Sequence, residues 1–338
     1  MSVRRIVALF AAALVVAAAG YGIYWFHVAG SLRKGLERWA DQRRAEGWTV
    51  AWDVVETGGF PLHLRLDLAA PRVTHPTGAS WRTDRLVAHA EPFDWTRLRL
   101  DAPGLHHLAW PGGEATVEAA TAQAQVNTDR HGRLEDATLL LSTVTVTGAT
   151  AEPLRADGVA VTWDPLVTVN ATHTTPIARF STTVHGVTLP ALPGLPLDRA
   201  IGLVEVTGHV LGEVPAAPPI EALARWSADG GTVELDHVSL EWAPMALEAQ
   251  GTLALDPAGQ PLASLAAKVR GFGPLMDRLT EAGTVPADTA NAAKMVLSLM
   301  ARPDSKGRPA VPVPISVQDG ALYLGPAQVA RMPPVNWR

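Results

Sequence analysis

Cysteine is absent from this 338-residue chain, and charged residues are few, at 18% of the total. Without a thiol, the chain has no disulfide framework, no cysteine-ligated zinc, no iron–sulfur cluster and no thiol nucleophile. The formal net charge of −5, built from mixed signs, excludes nucleic-acid binding through a basic surface. Hydrophobic residues make up 47%, so the chain is too apolar to be largely disordered.

The short motifs of the common enzyme families are also missing. The sequence has no His-Glu-x-x-His, no Gly-x-Ser-x-Gly, no P-loop and no Gly-x-Gly-x-x-Gly that opens a helix. His106 and His107 are adjacent, so on a strand they point to opposite faces and do not share a metal ion. We therefore predict no catalytic residue, no metal and no cofactor. An enzyme whose site is assembled from distant strands remains the open alternative.

The N-terminal segment has the composition of a membrane anchor. Residues 6–29 carry no charge apart from a possible proton on His27. This run exceeds the ~20 residues that a spanning helix needs and the ~7–15 apolar residues of a cleaved signal peptide. Tyr21, Tyr24 and Trp25 suit the membrane interface at its far end. The pattern predicts an uncleaved signal-anchor transmembrane helix over residues 1–30.

The charges that flank this run give conflicting indications of its orientation. Arg4 and Arg5 favour a cytoplasmic N-terminus, whereas basic residues soon after the run oppose export of the body. These opposing residues are Arg33, Lys34, Arg38, Arg43 and Arg44. A single N-terminal span before a long β-rich, cysteine-free body is typical of envelope proteins. On that ground we predict a single-pass inner-membrane protein with its body in the periplasm.

A stalk helix is predicted to follow the anchor, over residues 31–47. Ser31 is placed to cap it, Leu32, Leu36 and Trp39 share one helical stripe, and Gly47 is placed to end it. From Trp48 onward the period of the hydrophobic residues changes from helical spacing to two. With no long linker in the remainder, we predict one elongated β-rich domain over residues 48–338.

Alternation of apolar and polar residues predicts most of the strands. Leu62, Leu64, Leu66 and Leu68 alternate with polar residues after a turn at Gly59-Phe60-Pro61. Similar runs lie at 85–89, 97–100, 116–126, 138–147, 158–162, 179–187 and 203–211. Short intervals between these runs favour antiparallel pairing.

The C-terminal third mixes helical and strand periods. Helices are predicted over 219–228, 272–281 and 288–300, and hairpin turns at 256–260 and at Asp319-Gly320. The predicted fold class is therefore β-rich (α+β): an N-terminal transmembrane helix, then an elongated curved antiparallel sheet with a few covering helices.

Tryptophan is unusually abundant, since the 11 Trp outnumber the 3 Tyr and 6 Phe together. Trp52, Trp81, Trp95 and Trp110 fall in the first third of the chain. Core packing is the default interpretation of such residues, and an apolar lipid-lined groove is the alternative. Both arrangements alternate apolar and polar residues, so periodicity does not choose between them. If the groove exists, these four residues are the candidates to line it.

A series of short blocks resembles one known family. These blocks are Trp52 with Gly59-Phe60-Pro61, then residues 230–233, 251–256 and 319–326, where Asp319-Gly320 opens the last block. Their order resembles the domain of unknown function 2125 family of membrane-anchored envelope proteins, which is distantly AsmA-like. The resemblance implies an anchor and a curved sheet whose apolar face carries phospholipid in larger relatives. It implies no catalytic residues.

Two functions follow as hypotheses. The first is a membrane-anchored periplasmic protein that binds lipid in an apolar groove, for envelope lipid transport or maintenance. A chain of this size is too short to form a complete conduit between two membranes, because each strand adds only ~4.8 Å. The second is a non-enzymatic envelope assembly or scaffold protein without a lipid site. The membrane and phospholipid are the expected partners, and the sequence does not indicate a protein partner.

Overall fold

The computed structural model describes residues 3–148, 150, 152–168, 171–190, 197–215, 217, 219–304 and 307–335, without the side chains of 3–13, 15, 95, 219, 220, 327 and 329. Most of these residues lie in antiparallel strands, which confirms the predicted β-rich class. The chain divides into two compact units, Met1–Arg133 and Leu134–Arg338. The prediction of one domain over residues 48–338 stays a prediction.

The first unit begins with one long helix, α1 (Val3–Ala45). The predicted helix start at Ser31 is wrong, because the Ser31 hydroxyl donates to the carbonyl of His27 at 2.9 Å within the helix instead of capping a new one. Gly47 ends the helix as predicted, with a φ of 87° that favours glycine. The predicted anchor over 1–30 is the N-terminal part of α1, and many of its side chains lie outside the described residues.

Among the described residues, no helix combines the length and the hydropathy that crossing a membrane requires.

All strands of the first unit except β9 are halves of longer strands. They are β1 (Thr49–Ala51), β2 (Val54–Gly58), β3 (Leu64–Ala69), β4 (Arg72–Thr74), β5 (Ser80–Thr83), β6 (Arg85–Glu91), β7 (Asp94–Asp101), β8 (Gly104–Trp110) and β9 (Gly113–Thr128). Strands β2, β3, β6 and β7 pair in that order up to the second half of β9. Strands β1, β4, β5 and β8 pair alongside them up to its first half. The unit is thus a meander of five long strands, four of them interrupted midway.

Helix α1 packs on the apolar face of this meander. Leu64, Leu66 and Leu68 of β3 are buried, as their alternation predicts. Leu64 contacts a cluster that contains Trp25, Val28 and Ala29 of α1. Leu66 and Leu68 pack with Leu32, Leu36 and Trp52. The strand starts two residues later than predicted, because Leu62 and His63 belong to the preceding turn.

The second unit is a longer meander. Its strands are β10 (Leu134–Thr147), β11 (Leu154–Pro165), β12 (Pro176–Thr188), β13 (Ala200–Leu211), β14 (Thr232–Trp242), β15 (Met245–Leu255), β16 (Pro261–Arg270), β17 (Arg302–Pro303), β18 (Pro309–Gln318), β19 (Ala321–Leu324) and β20 (Ala327–Arg331). Each strand from β10 to β16 pairs with the next, then β16 pairs with β18, and β19 and β20 follow. The short β17 pairs with β18.

Three helices interrupt this meander, and all three were predicted. Helix α2 (Pro219–Ala228) lies between β13 and β14, and α3 (Phe272–Glu281) and α4 (Ala287–Met300) follow β16. The hairpin at Asp319-Gly320 joins β18 to β19, and both residues have the positive φ that such a turn needs. Proline lies near the start of each helix, and glycine lies near the ends of α2 and α3. These residues explain why the helix bounds could be predicted from the sequence.

Candidate functional site

The feature of the second unit with the most evident binding character is one apolar face of its sheet. Aligned across eight strands, one row of paired residues is entirely aliphatic. In strand order it is Leu141, Val159, Val184, Val204, Leu240, Leu247, Val269 and Val311. A row two residues away, on the same face, is Leu139, Val161, Thr182, Val206, Val238, Ala249, Ala267 and Val313. We call these two rows the aliphatic face.

The row between these two lies on the other side of the sheet and is mostly polar toward its centre. It consists of Leu140, Ala160, Thr183, Glu205, Ser239, Glu248, Lys268 and Pro312. Since successive residues of a strand point to opposite faces, the sheet has one apolar side and one mixed, largely polar side. The aliphatic face is therefore a property of the register, which places like residues side by side over strand after strand.

The aliphatic face is only partly removed from water. From β10 to β14, every described member of the two rows is half-buried or exposed, and Leu139 is exposed. Full burial begins with Ala249 and Ala267 and includes Val311 of β18, the strand that α4 contacts. In an antiparallel sheet with one side in water, that side is usually polar. Here the part of the aliphatic face from β10 to β14 is apolar and partly exposed, so it offers contact area for another apolar molecule.

The four tryptophans chosen from the sequence lie elsewhere, in the first unit. Trp52 packs with Leu66 and Leu68, under the guanidinium of Arg44. Trp81 stacks on His106, with its indole nitrogen 3.3 Å from Nδ1 of that ring. Trp110 is exposed beside the Gly112-Gly113 turn. Trp95 lies in β7, and its side chain is outside the described residues.

These tryptophans do not form one lining surface by their described contacts. Among the described side chains, no ring contact joins Trp52, Trp81 and Trp110. Their role as lipid-binding residues stays a prediction, and no part of the aliphatic face depends on it. The alternation within each strand could be read from the sequence, but the register that aligns one strand with the next could not.

The two turn motifs have structural roles. Gly59 has a φ of 96°, and a β-carbon there would lie 2.5 Å from the carbonyl oxygen of His63, so the turn requires glycine. Phe60 and Pro61 form the outer side of this turn and are exposed. Asp319 and Gly320 form the tight hairpin between β18 and β19.

A groove of about 550 Å³ lies mainly on the side of the first-unit sheet that faces away from α1, although Ala90 and Leu98 also line it. It includes His63 and a paired row of His89, Arg99 and Gln125. Two members of this row have a close partner, since Asp101 lies 3.4 Å from His89 and 3.2 Å from Arg99. No group of metal-ligating side chains of three or more occurs among the described residues.

One carboxylate on that same side has a shifted pKa. A hydrogen bond from the Arg85 guanidinium holds the pKa of Asp67 below its ordinary value, although partial burial acts in the opposite direction. Arg65 adds a second positive charge 3.3 Å away. Asp67 is therefore an ion-paired carboxylate and has no character of a general acid.

Comparison with known proteins adds one finding. A family described as "Uncharacterized protein conserved in bacteria (DUF2125)" matches residues 25–333. No curated protein and no solved structure matches the chain. The family match covers both units and most of the chain, and the wider AsmA-like relation stays a prediction.

Proposed function

Since the chain belongs to the DUF2125 family of bacterial proteins, we propose a function from its own residues: a membrane-anchored protein that binds phospholipid acyl chains on the aliphatic face of the second unit. The observation that carries the proposal is the in-register aliphatic face, which stays partly exposed from β10 to β14. The proposed role is lipid transport or maintenance in the cell envelope, without catalysis.

The physical argument concerns the cost of leaving this face in water. Apolar area removed from water contributes roughly 25 cal/mol per Å², so a row of half-covered Val and Leu side chains favours an apolar partner. The partly exposed part of the row runs from β10 to β14, and five strands at a spacing of ~4.8 Å give a length of roughly 19 Å. One leaflet of a bilayer core is about 15 Å thick, half of its ~30 Å, so the row is long enough for extended acyl chains.

The proposed anchor is the uncharged N-terminal part of α1. Leu14 and Val16, which precede the body, and Ile23, which lies level with its first turns, are exposed apolar groups. Exposed aliphatic side chains on one helix are favourable in lipid and unfavourable in water. The body is proposed to lie in the periplasm, with Arg4 and Arg5 on the cytoplasmic side.

A charge placed on the aliphatic face tests the lipid proposal. Val206 belongs to this face, whereas its neighbour Thr207 points to the opposite side. We expect Val206→Glu to lower the phospholipid retained per chain several-fold, and Thr207→Glu to leave it unchanged. Full-length protein is purified in mild detergent, and bound phospholipid is extracted and quantified by mass spectrometry.

The full chain is required because α1 is part of the core of the first unit. A body that begins at residue 31 would lose Trp25, Val28 and Ala29, which form a buried cluster with Leu64. Lipid held around α1 is common to the wild-type chain and both variants. A difference in retained phospholipid between the variants therefore reports on the sheet. Equal retention in all three would contradict the lipid proposal.

A second candidate function is an assembly or scaffold role without a lipid site. It is favoured by an apolar stripe on α4, whose members Met295, Val296, Leu299 and Met300 are all exposed. Exposed apolar patches on soluble surfaces commonly mark protein interfaces. Under this alternative, a protein partner is recovered with the wild-type chain, and the Val206→Glu and Thr207→Glu variants retain lipid equally.

A further inference from the structure

Aromatic rings surround α1 at the level where its uncharged part meets the body. The helix contributes Tyr21, Tyr24 and Phe26, and two turns of the first unit contribute Phe60 and Phe93. We call these five residues the aromatic collar. Phe93 stacks on Tyr24, with ring centroids 5.2 Å apart and planes 7° apart. Phe60 lies 5.9 Å from Phe26 at 14°.

The two turns are held to the helix by hydrogen bonds from the tyrosine hydroxyls. Tyr24 donates to the carbonyl of Pro92 at 2.6 Å, and Tyr21 donates to the carbonyl of Pro61. The indole of Trp25 donates to the carbonyl of His63 at 3.1 Å. The polar atoms of these rings are thus directed to the body, and the turns are fixed beside the helix.

The outer side of the collar is apolar, and the described part of the chain leaves it exposed. Phe60 is 53% exposed and Phe93 is 72% exposed, and the neighbouring Leu62 is 71% exposed. Soluble surfaces rarely expose contiguous apolar groups of this kind. Aromatic rings with polar atoms on one side and apolar area on the other are characteristic of the membrane–water interface.

The helix indicates which partner covers these residues. On one side of the collar, α1 continues toward the N-terminus for 18 residues, 3–20, or about 27 Å at 1.5 Å per residue. Within this stretch the only charged residues are Arg4 and Arg5. On the other side, Arg33, Lys34 and Glu37 are exposed to water. The collar therefore lies at the boundary between an apolar and a charged part of one continuous helix.

We propose that Phe60, Leu62 and Phe93 insert into the interfacial region of the bilayer around α1. The first unit is then seated on the lipid surface by two turns as well as by the helix. This inference rests on the anchoring of α1 proposed above. It adds that the body contacts the membrane directly, which fixes the depth of the helix.

Site-directed fluorescence tests the inference, because the chain has no cysteine and an introduced thiol is unique. Full-length Leu62→Cys and Phe93→Cys are labelled with an environment-sensitive fluorophore and reconstituted in phosphatidylcholine–phosphatidylglycerol vesicles that contain spin-labelled lipid. Leu14→Cys reports on the anchor, and Thr77→Cys, on an exposed turn of the same unit, is the water-facing control. Leu62 makes none of the ring contacts, so its variant keeps the test valid if Phe93→Cys does not fold.

We expect the probes at 62 and 93 to be quenched several-fold more than the probe at 77, with the strongest quenching from spin labels near the headgroup. Quenching at 14 with water-like emission at 62 and 93 would overturn the seating and leave the anchoring intact. Water-like emission at 14, 62 and 93 would overturn both the seating and the anchoring.

Discussion

Replacing Leu64 by alanine is expected to lower the free energy of unfolding of the first unit by about 3–4 kcal/mol. The Leu64 side chain is 0% exposed and belongs to one buried cluster with Trp25, Val28 and Ala29 of α1 and Ala90 of β6. Truncation of a fully buried leucine costs ~2–5 kcal/mol, because the transfer free energy of the lost atoms adds to that of a cavity. The site joins the helix to the sheet, so collapse around the cavity would require α1 to move.

Hydrogen exchange followed by mass spectrometry measures this effect, because it reports on each unit separately. That separation matters in a chain with two units, for which a single unfolding transition is not assured. Leu62→Ala, two residues earlier and 71% exposed, is the matched control and is expected to change stability by less than about 0.5 kcal/mol. Equal effects of the two substitutions would contradict the packing of α1 on β3.

Replacing Gly231 by alanine is expected to destabilise the second unit by about 2–3 kcal/mol. A β-carbon at this position would lie 2.3 Å from the Trp226 indole, which is buried against the start of β14. Moving the indole away would break the hydrogen bond from its nitrogen to the Leu211 carbonyl, now 2.8 Å long. Overpacking typically costs ~1–3 kcal/mol, and a lost buried hydrogen bond adds to it.

The control for this substitution is Gly202→Ala in β13. There the nearest heavy atom to the new β-carbon would be 3.6 Å away, an ordinary contact distance. Amide protection in β13 and β14, measured by hydrogen exchange, is expected to fall in the Gly231→Ala variant and to stay unchanged in Gly202→Ala. Loss of protection in both variants would mean that the close approach of Trp226 is not what constrains position 231.

Much of the fold could be predicted from local sequence signals. Helix α2 and helix α3 have the predicted bounds, because proline near each start and glycine after each end restrict the backbone. Alternation of apolar and polar residues predicted the long strands of the second unit. The predicted helix start at Ser31 was wrong. A serine inside a helix can donate to the carbonyl four residues earlier, so a serine in the sequence does not by itself mark a helix N-terminus.

The candidate site could not be predicted in the same way. Alternation places Val204 and Leu240 each on the apolar side of its own strand, but only pairing across strands makes them neighbours. The tryptophan-rich segment is the first third of the chain, whereas the aliphatic face lies in the second unit. Phe60 and Phe93 carried a signal that was missed, since each is an aromatic residue in a turn.

Photo-crosslinking in living cells shows whether phospholipid lies on the aliphatic face. A benzophenone amino acid is placed at Val204, on the aliphatic face, or at the adjacent Glu205, on the opposite side. After irradiation of cells grown with radioactive phosphate, the purified chain is examined for covalently bound phospholipid. We expect a labelled lipid adduct from position 204 and little from 205. A protein adduct at 204 without lipid, or equal lipid labelling at both positions, would contradict it.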